Sequence, residues 1–178
     1  MIYPAPDLHI DPELGMEFIK QSNFIENERQ DTAHEDAMLA LQYAKIFAFR
    51  LGTTSYALDI HRILLHRKNK QIAGKFRECA VMIGGRTCPF ISVAALSHSL
   101  NDIMCAIERD IQRNPNRTDF KKEEACKRLH VQFEHLHPFE DGNGRTGRII
   151  YNIHRLLVGL PLHVIHEGKE QQEYYKWF

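Results

Sequence analysis

The sequence has 178 residues, 43% of them hydrophobic and 26% charged, which allows one compact globular domain. Lysine plus arginine and aspartate plus glutamate are 23 each, so the chain lacks the net positive charge of a general nucleic-acid binder. It has no apolar run of membrane-spanning length, no secretory signal and no paired CxxC motif among its four cysteines. We therefore expect a cytoplasmic protein with no membrane contact and no direct nucleic-acid partner.

The N-terminal segment is strongly acidic. Residues 1–36 contain nine acidic and two basic residues, so residues 37–178 carry the balancing positive charge. Asp11 followed by Pro12 is typical of a helix N-terminus, and this helix is expected to continue to about Ser22. The acidic segment is either a solvated leader or an arm that lies against a basic, anion-binding body.

Capping residues and apolar periodicity predict six further helices. Thr32, Ser92 and Thr118 are the expected N-caps of the second, fourth and fifth helices. The fourth helix presents the clearest apolar face, with a period of 3.6 residues. The expected limits are 32–52, 55–66, 92–111, 118–136, 143–160, and a last helix from about residue 167.

One stretch interrupts the helical pattern. Residues 74–85 read GKFRECAVMIGG, in which Val81 and Ile83 alternate with other residues between flanking glycines. This pattern favours a small β-hairpin. The hairpin either closes the core or offers a free strand edge to a peptide.

The segment 137–148, HPFEDGNGRTGR, lies between two apolar helices and concentrates residues suited to phosphate chemistry. Its proline and glycines require a tight loop, and the next helix is expected to begin near Asn143. The free N–H groups of a helix N-terminus bind anions, and Gly142 and Gly144 allow close approach of a phosphate. Arg145 and Arg148 would share one helix face.

Two other side chains of this segment are suited to catalysis. Asp141 is a hard oxygen ligand beside the expected phosphate, where proteins commonly hold Mg²⁺. His137 titrates near neutral pH and could take a proton from a hydroxyl group. Together these groups predict a phosphoryl- or nucleotidyl-transfer site.

The same segment resembles the Fic domain signature HxFx[DE][GA]N[GK]RxxR. The matching residues are His137, Phe139, Asp141, Gly142, Asn143, Gly144, Arg145 and Arg148. The resemblance covers nearly the whole chain and implies an all-α Fic-type core with a small β-hairpin flap. It divides the chain into an N-terminal arm, 1–31, and a core, 32–178, within one compact domain.

Most relatives in this family are Mg²⁺-dependent protein adenylyltransferases, which move AMP from ATP to a target-protein hydroxyl of serine, threonine or tyrosine and release pyrophosphate. The resemblance implies that His137 is the general base and Asp141 the Mg²⁺ ligand. It also implies phosphate contacts from Gly142, Asn143, Gly144, Arg145 and Arg148. Gly144 is similar to the AMP-transferring members, since relatives with lysine there can transfer phosphate instead.

The resemblance extends to target and adenine binding. The unknown target protein would add as a strand to the flap, at Val81 and Ile83. Tyr174 and Tyr175 resemble a tyrosine pair near the adenine. Many relatives continue past that pair with further pocket residues, whereas this sequence stops at Phe178, so a short member or a truncated chain is expected.

Residues 22–27, SNFIEN, resemble the Fic inhibitory motif [ST]xxxE[GN], matched at Ser22, Glu26 and Asn27. The resemblance implies that Glu26 pairs with Arg148, that Ser22 supports the contact, and that ATP is thereby kept from a productive pose. An ordinary helix end with a left-handed asparagine also explains this sequence. Relatives sometimes use dimers to regulate such an arm, and a homodimer is left open.

Two alternatives to an autoinhibited adenylyltransferase remain. The same site could remove AMP or transfer another nucleotide or phosphodiester group. A non-catalytic module that senses nucleotides is an alternative of another class, although such a module needs neither His137 nor Asp141.

Overall fold

The computed structural model describes residues 8–83, 86–113 and 116–178, and of Ile83 and Arg86 the backbone alone. These residues form helices and one two-stranded sheet, which confirms the predicted all-α fold with a small hairpin. The helices are α1 (Pro12–Ile25), α2 (Asp31–Ile46), α3 (Thr54–Leu65), α4 (Val93–Ile111), α5 (Asp119–Leu136), α6 (Asn143–Leu157) and α7 (Lys169–Tyr175), with a short 3₁₀ turn at Ala48–Arg50.

Local capping chemistry sets several helix starts. The side chains of Asp11, Ser92 and Thr118 accept backbone N–H groups at the starts of α1, α4 and α5, as predicted. The prediction for Thr32 is wrong, because the N–H groups of residues 33 and 34 bond to the Gln30 carbonyl and α2 begins at Asp31. Helix α2 also ends at Ile46, before the 3₁₀ turn, and not at residue 52.

The hairpin consists of β1 (Val81–Ile83) and β2 (Arg86–Cys88), which pair antiparallel with Val81 opposite Cys88 and Met82 opposite Thr87. It lies later in the chain than predicted, since residues 74–80 form no strand. Glycines 84 and 85, which end the stretch predicted as a hairpin, lie outside the described residues. Met82 is 61% exposed, so one face of the hairpin is open to solvent.

Helix α6 is the centre of the fold. It contacts α1, α2, α3, α4 and α5, and most of its side chains are buried, including polar ones. Buried polar groups need partners, so the arginines of this helix must be paired or await a ligand. None of the helices in the described ranges combines the length and the hydropathy needed to cross a bilayer.

Candidate active site

The loop between α5 and α6 is closed by one amide side chain. Asn143 accepts a hydrogen bond from the Phe139 N–H and donates one to the Phe139 carbonyl, both at 2.9 Å. His137 and Gly142 adopt left-handed backbone conformations at the two ends of the loop, with φ of 46° and 75°. The side-chain amide of Asn143 is therefore used within the loop. A ligand at this position would meet the backbone of Asn143.

A histidine that the sequence analysis did not identify supports the loop from α3. The His61 ring stacks on Phe139 with ring centres 3.9 Å apart. Its Nδ1 accepts from the Gly74 N–H at 2.9 Å, and its Nε2 lies 2.9 Å from the Asp141 carbonyl. Burial lowers the pKa of His61 to about 4, so the ring is neutral and holds the loop as one donor and one acceptor.

Arg77 joins the loop to the hairpin and was also missed from sequence. Its guanidinium donates to the carbonyls of His137, Cys79 and Pro89 at 2.8–3.0 Å. The side chain is fully buried. Because Cys79 and Pro89 flank the two strands, this single cation fixes the hairpin relative to the start of the loop between α5 and α6.

His137 is oriented for use as a base. Its Nδ1 lies 3.0 Å from the carbonyl of Glu134, which can only accept, so Nδ1 carries the proton and Nε2 keeps its lone pair. Burial lowers the pKa of His137 below its ordinary value, partly offset by the Glu134 carbonyl and the charge of Glu26. The imidazole is thus neutral at physiological pH and able to accept a proton.

Asp141 stands at the mouth of the loop. Its Oδ1 accepts from the Gly142 N–H at 2.6 Å, and its Oδ2 lies 2.8 Å from the Lys68 ammonium. Burial raises the pKa of Asp141, but Lys68, Arg145 and the Gly142 hydrogen bond outweigh burial and hold the pKa below its ordinary value. The carboxylate is therefore ionised at neutral pH.

The N-terminus of α6 is covered by the arm. A Cβ placed on Gly144 would lie 2.2 Å from Glu26 Oε1 and 2.9 Å from Arg148 Nη1. Arg148 Nη2 donates to Glu26 Oε1 at 2.7 Å and to the Ser22 carbonyl at 2.9 Å, and Nε donates to Ser22 Oγ at 2.9 Å. The predicted contacts of Glu26 and Ser22 with Arg148 are present, and the Glu26 carboxylate lies where an anion would bind.

The two arginines of α6 differ in their surroundings. Arg148 is fully buried; burial lowers its pKa, but the neighbouring Glu26, through its charge and its hydrogen bond, outweighs burial and holds the pKa above its ordinary value. The side chain of Arg145 is 3% exposed, yet its nearest carboxylates, those of Glu28 and Asp141, are 3.8 Å away. Its Nε has no hydrogen-bond partner among the described residues, as expected of a donor that awaits an anion.

Most of the predicted site residues line one cleft of about 1030 Å³. The lining includes Glu26, His137, Asp141, Gly142, Asn143, Gly144, Arg148, Tyr174 and Tyr175, together with Glu134, Met82 and Thr87. Arg145 and Ser22 are buried and are not among the lining residues. Val81 is half-buried and outside the lining, and the Ile83 side chain lies outside the described residues.

The tyrosine pair has two environments. Tyr174 is buried and its hydroxyl lies 2.9 Å from His130 Nε2, while its ring centre is 5.8 Å from the Arg148 guanidinium carbon. Tyr175 is 49% exposed at the cleft edge. The Tyr174 ring therefore packs against Arg148, whereas the Tyr175 ring is more accessible to a ligand.

Comparison with known proteins matches residues 52–154 to the Fic/DOC family. A protein adenylyltransferase Fic from Culex quinquefasciatus is 29% identical over 120 residues, which cover 67% of this chain and 22% of that protein. A namesake from Drosophila melanogaster is 31% identical over 118 residues, with coverage of 66% and 22%. The matched region thus spans less than a quarter of these relatives.

Solved structures agree on the fold. A Fic domain containing signaling protein from Bacteroides thetaiotaomicron superposes with a TM-score of 0.73 at 19% identity, covering 92% of this chain and 70% of that one. Fic-1 from C. elegans gives 0.68 at 19% identity, with coverage of 93% and 54%. The family match extends over more than half of the sequence and includes the loop from His137 to Arg148, and the chain belongs to the Fic/DOC family.

Proposed function

We propose that this chain is a protein adenylyltransferase that transfers AMP from ATP to a hydroxyl group of a target protein, and that its N-terminal arm inhibits it. The names of its relatives support the reaction class. The observation that carries the proposal is that a neutral His137, whose Nε2 keeps its lone pair, and an anion site at the start of α6 line the same cleft. A cytoplasmic location belongs to the same proposal.

The phosphates of ATP are expected at the N-terminus of α6. The N–H groups there and the helix dipole favour negative charge, and Gly144 leaves room for it beside Arg148. Arg145, whose Nε has no hydrogen-bond partner among the described residues, would add a second guanidinium. The adenine ring would pack near Tyr175, which lines the same cleft.

Asp141 suits a divalent cation held in part by the substrate. Among the described residues no group of three or more His, Cys, Asp or Glu side chains is arranged to hold a metal ion. Mg²⁺ is commonly bound by one or two carboxylates together with phosphates and water, and the ionised Asp141 fits this mode. When bound, the ion would neutralise phosphate charge and orient the α-phosphate.

His137 would act on the target hydroxyl. Nε2 takes the hydroxyl proton as the hydroxyl oxygen attacks the α-phosphorus of ATP. The bond from that phosphorus to the oxygen shared with the β-phosphate breaks, and pyrophosphate leaves with the bonding electrons. Arg77 helps to place the hydroxyl, because it connects the His137 carbonyl to both sides of the flap on which the target would dock.

The arm would inhibit by occupying the phosphate position. Glu26 Oε1 accepts a hydrogen bond from Arg148 and lies against Gly144. A γ-phosphate therefore cannot pair with the Arg148 guanidinium while the arm is docked. Docked arm and productive ATP then compete for one site, and the balance between the two states sets the activity.

Transfer assays on variants test this proposal. We expect Glu26→Gly to raise AMP transfer, including self-modification, by about tenfold or more, because a charge-assisted hydrogen bond contributes about 1.5 kcal/mol or more. The parent, Glu26→Gly, Arg148→Ala and Glu26→Gly/His137→Ala proteins are incubated with ATP labelled at the α-phosphate, Mg²⁺ and a cell lysate. Product mass identifies the transferred group.

Glu13→Gly is the matched control, since it removes one exposed carboxylate from the same arm. We expect it to behave as the parent does. Arg148→Ala should stay inactive, because it loses the inhibitory pair and the phosphate contact together. If Glu26→Gly is no faster than the parent, the arm is not an inhibitor. If Glu26→Gly/His137→Ala keeps the activity of Glu26→Gly, His137 is not the base.

A further inference from the structure

A second carboxylate of the arm reaches the catalytic loop. The chain turns after α1 through Asn27, whose φ is 58°, and the Glu28 N–H bonds back to the Asn23 carbonyl at 2.9 Å. This turn brings Glu28 to Lys68 and Arg145, whereas Glu26 contacts Arg148. The Glu28 side chain is 15% exposed and forms an ion pair with Lys68, just beyond the end of α3.

The ammonium of Lys68 is shared between the arm and the site. It lies 2.8 Å from Asp141 Oδ2 while it is paired with Glu28. Arg145 Nη2 lies 3.8 Å from both Glu28 Oε1 and Asp141 Oδ1. Two carboxylates and two cations thus alternate in one network, although Glu28 and Lys68 are 40 residues apart in the sequence.

The environment of this network favours a real energetic coupling. Isolated ion pairs between exposed side chains contribute little, whereas networks with buried members contribute more. Arg145 and Glu28 are both largely buried, and Lys68 and Asp141 are each about half exposed at its edge. The positive charge of the Lys68 ammonium also offsets the negative charge of the Asp141 carboxylate.

We propose that Glu28 and Lys68 form a second latch, through which the docked arm holds the Lys68 ammonium on Asp141 and thereby weakens the binding of a divalent cation there. This inference rests on the proposed function, because the role of Asp141 as cation ligand does. A divalent cation must approach Asp141 against the positive charge of Lys68, or displace it. The latch differs from the Glu26–Arg148 pair, which opposes the γ-phosphate and not the cation.

The first test measures the binding of Mn²⁺ alone, by electron paramagnetic resonance, to the full chain. We expect Lys68→Met to tighten Mn²⁺ binding about tenfold or more, since it removes a unit charge adjacent to the ligand. Lys70→Met is the matched control, because it removes the same charge from an exposed position two residues away. Adding Asp141→Asn to Lys68→Met should abolish the gain. Equal effects of Lys68→Met and Lys70→Met, or a gain that survives Asp141→Asn, would overturn the proposal.

The second test measures hydrogen exchange of the arm amides in residues 22–28. We expect Glu28→Gln and Lys68→Met each to speed exchange severalfold, and the double variant to be no faster than the faster single variant, because both remove one shared contact. Unchanged exchange in both single variants, or additive effects, would overturn the latch. Neither test requires transfer, so a chain that fails to transfer AMP but passes both tests loses the proposed function and keeps the latch.

Discussion

Glu134 is a buried acid beside the candidate active site, and its protonation should make the free energy of unfolding depend on pH. It lies one turn before His137, is 6% exposed, and its Oε1 has no hydrogen-bond partner within the described ranges. The nearest ring nitrogen, His130 Nε2, is 3.9 Å away. Burial raises the pKa of Glu134 to about 8, against the lowering effect of Arg148 and with a further raising effect of Glu26. The carboxyl is therefore mostly protonated at pH 7.

The direction of the pH dependence follows from linkage. An acid whose pKa is higher in the folded state than in the unfolded state binds its proton more tightly when folded. Between an unfolded pKa near 4.5 and the folded value of about 8, folding takes up a proton, and the free energy of unfolding falls as the pH rises. The slope is about 1.4 kcal/mol for each pH unit, and it vanishes outside this window.

Glu134→Gln removes this titration and keeps the shape of the side chain. We expect the free energy of unfolding of Glu134→Gln, minus that of the parent, to increase by about 1.4 kcal/mol per unit from pH 5 to about 8. Urea unfolding at each pH measures it, and Glu124→Gln, at an exposed position of α5, is the control. A difference that does not change with pH, or one that the control reproduces, would refute the reasoning. In Glu26→Gln the window should end at lower pH, because Glu26 raises the pKa of Glu134.

Two further predictions concern the cation and the flap. We expect Asp141→Ala to remove the Mg²⁺ dependence of ATP binding, measured calorimetrically with and without chelator; an unchanged dependence would place the cation elsewhere. We expect Val81→Pro, which removes a strand N–H, to weaken modification of the target more than ATP binding, and equal losses in both assays would make the hairpin structural.

The sequence specified the local chemistry of the fold well. Asp11, Ser92 and Thr118 cap helices as predicted because a cap depends on contacts within three residues. The prediction for Thr32 failed because Gln30, two residues earlier, can also begin the helix. The first N–H groups of α2 bond to the Gln30 carbonyl. The hairpin was predicted with its start too early, because the alternation of Val81 and Ile83, on which the prediction depended, begins only at residue 81.

The supporting residues of the site could not be found from sequence. His61 and Arg77 are 80 and 60 residues from the loop atoms they contact, and neither belongs to a local motif. Their importance arises from burial and from three-dimensional neighbours, which no spacing rule encodes. The signal available was weak: a histidine within an apolar helix and an arginine beside a strand. Lys68 and Glu28 carried no signal beyond the acidic character of the arm.

The partners of Arg148 explain why arm and nucleotide should exchange rather than act independently. The three hydrogen bonds that its guanidinium makes within the described residues all end on Ser22 and Glu26. If the arm left alone, the Arg148 guanidinium would lose these acceptors and have only water in their place. A phosphate entering as Glu26 leaves would supply new acceptors, and ionisation of Glu134 would supply a counter-charge. If the proposed function holds, we expect release of the arm to be easiest when ATP is present or the pH is high, and nucleotide affinity and arm docking would then report one equilibrium.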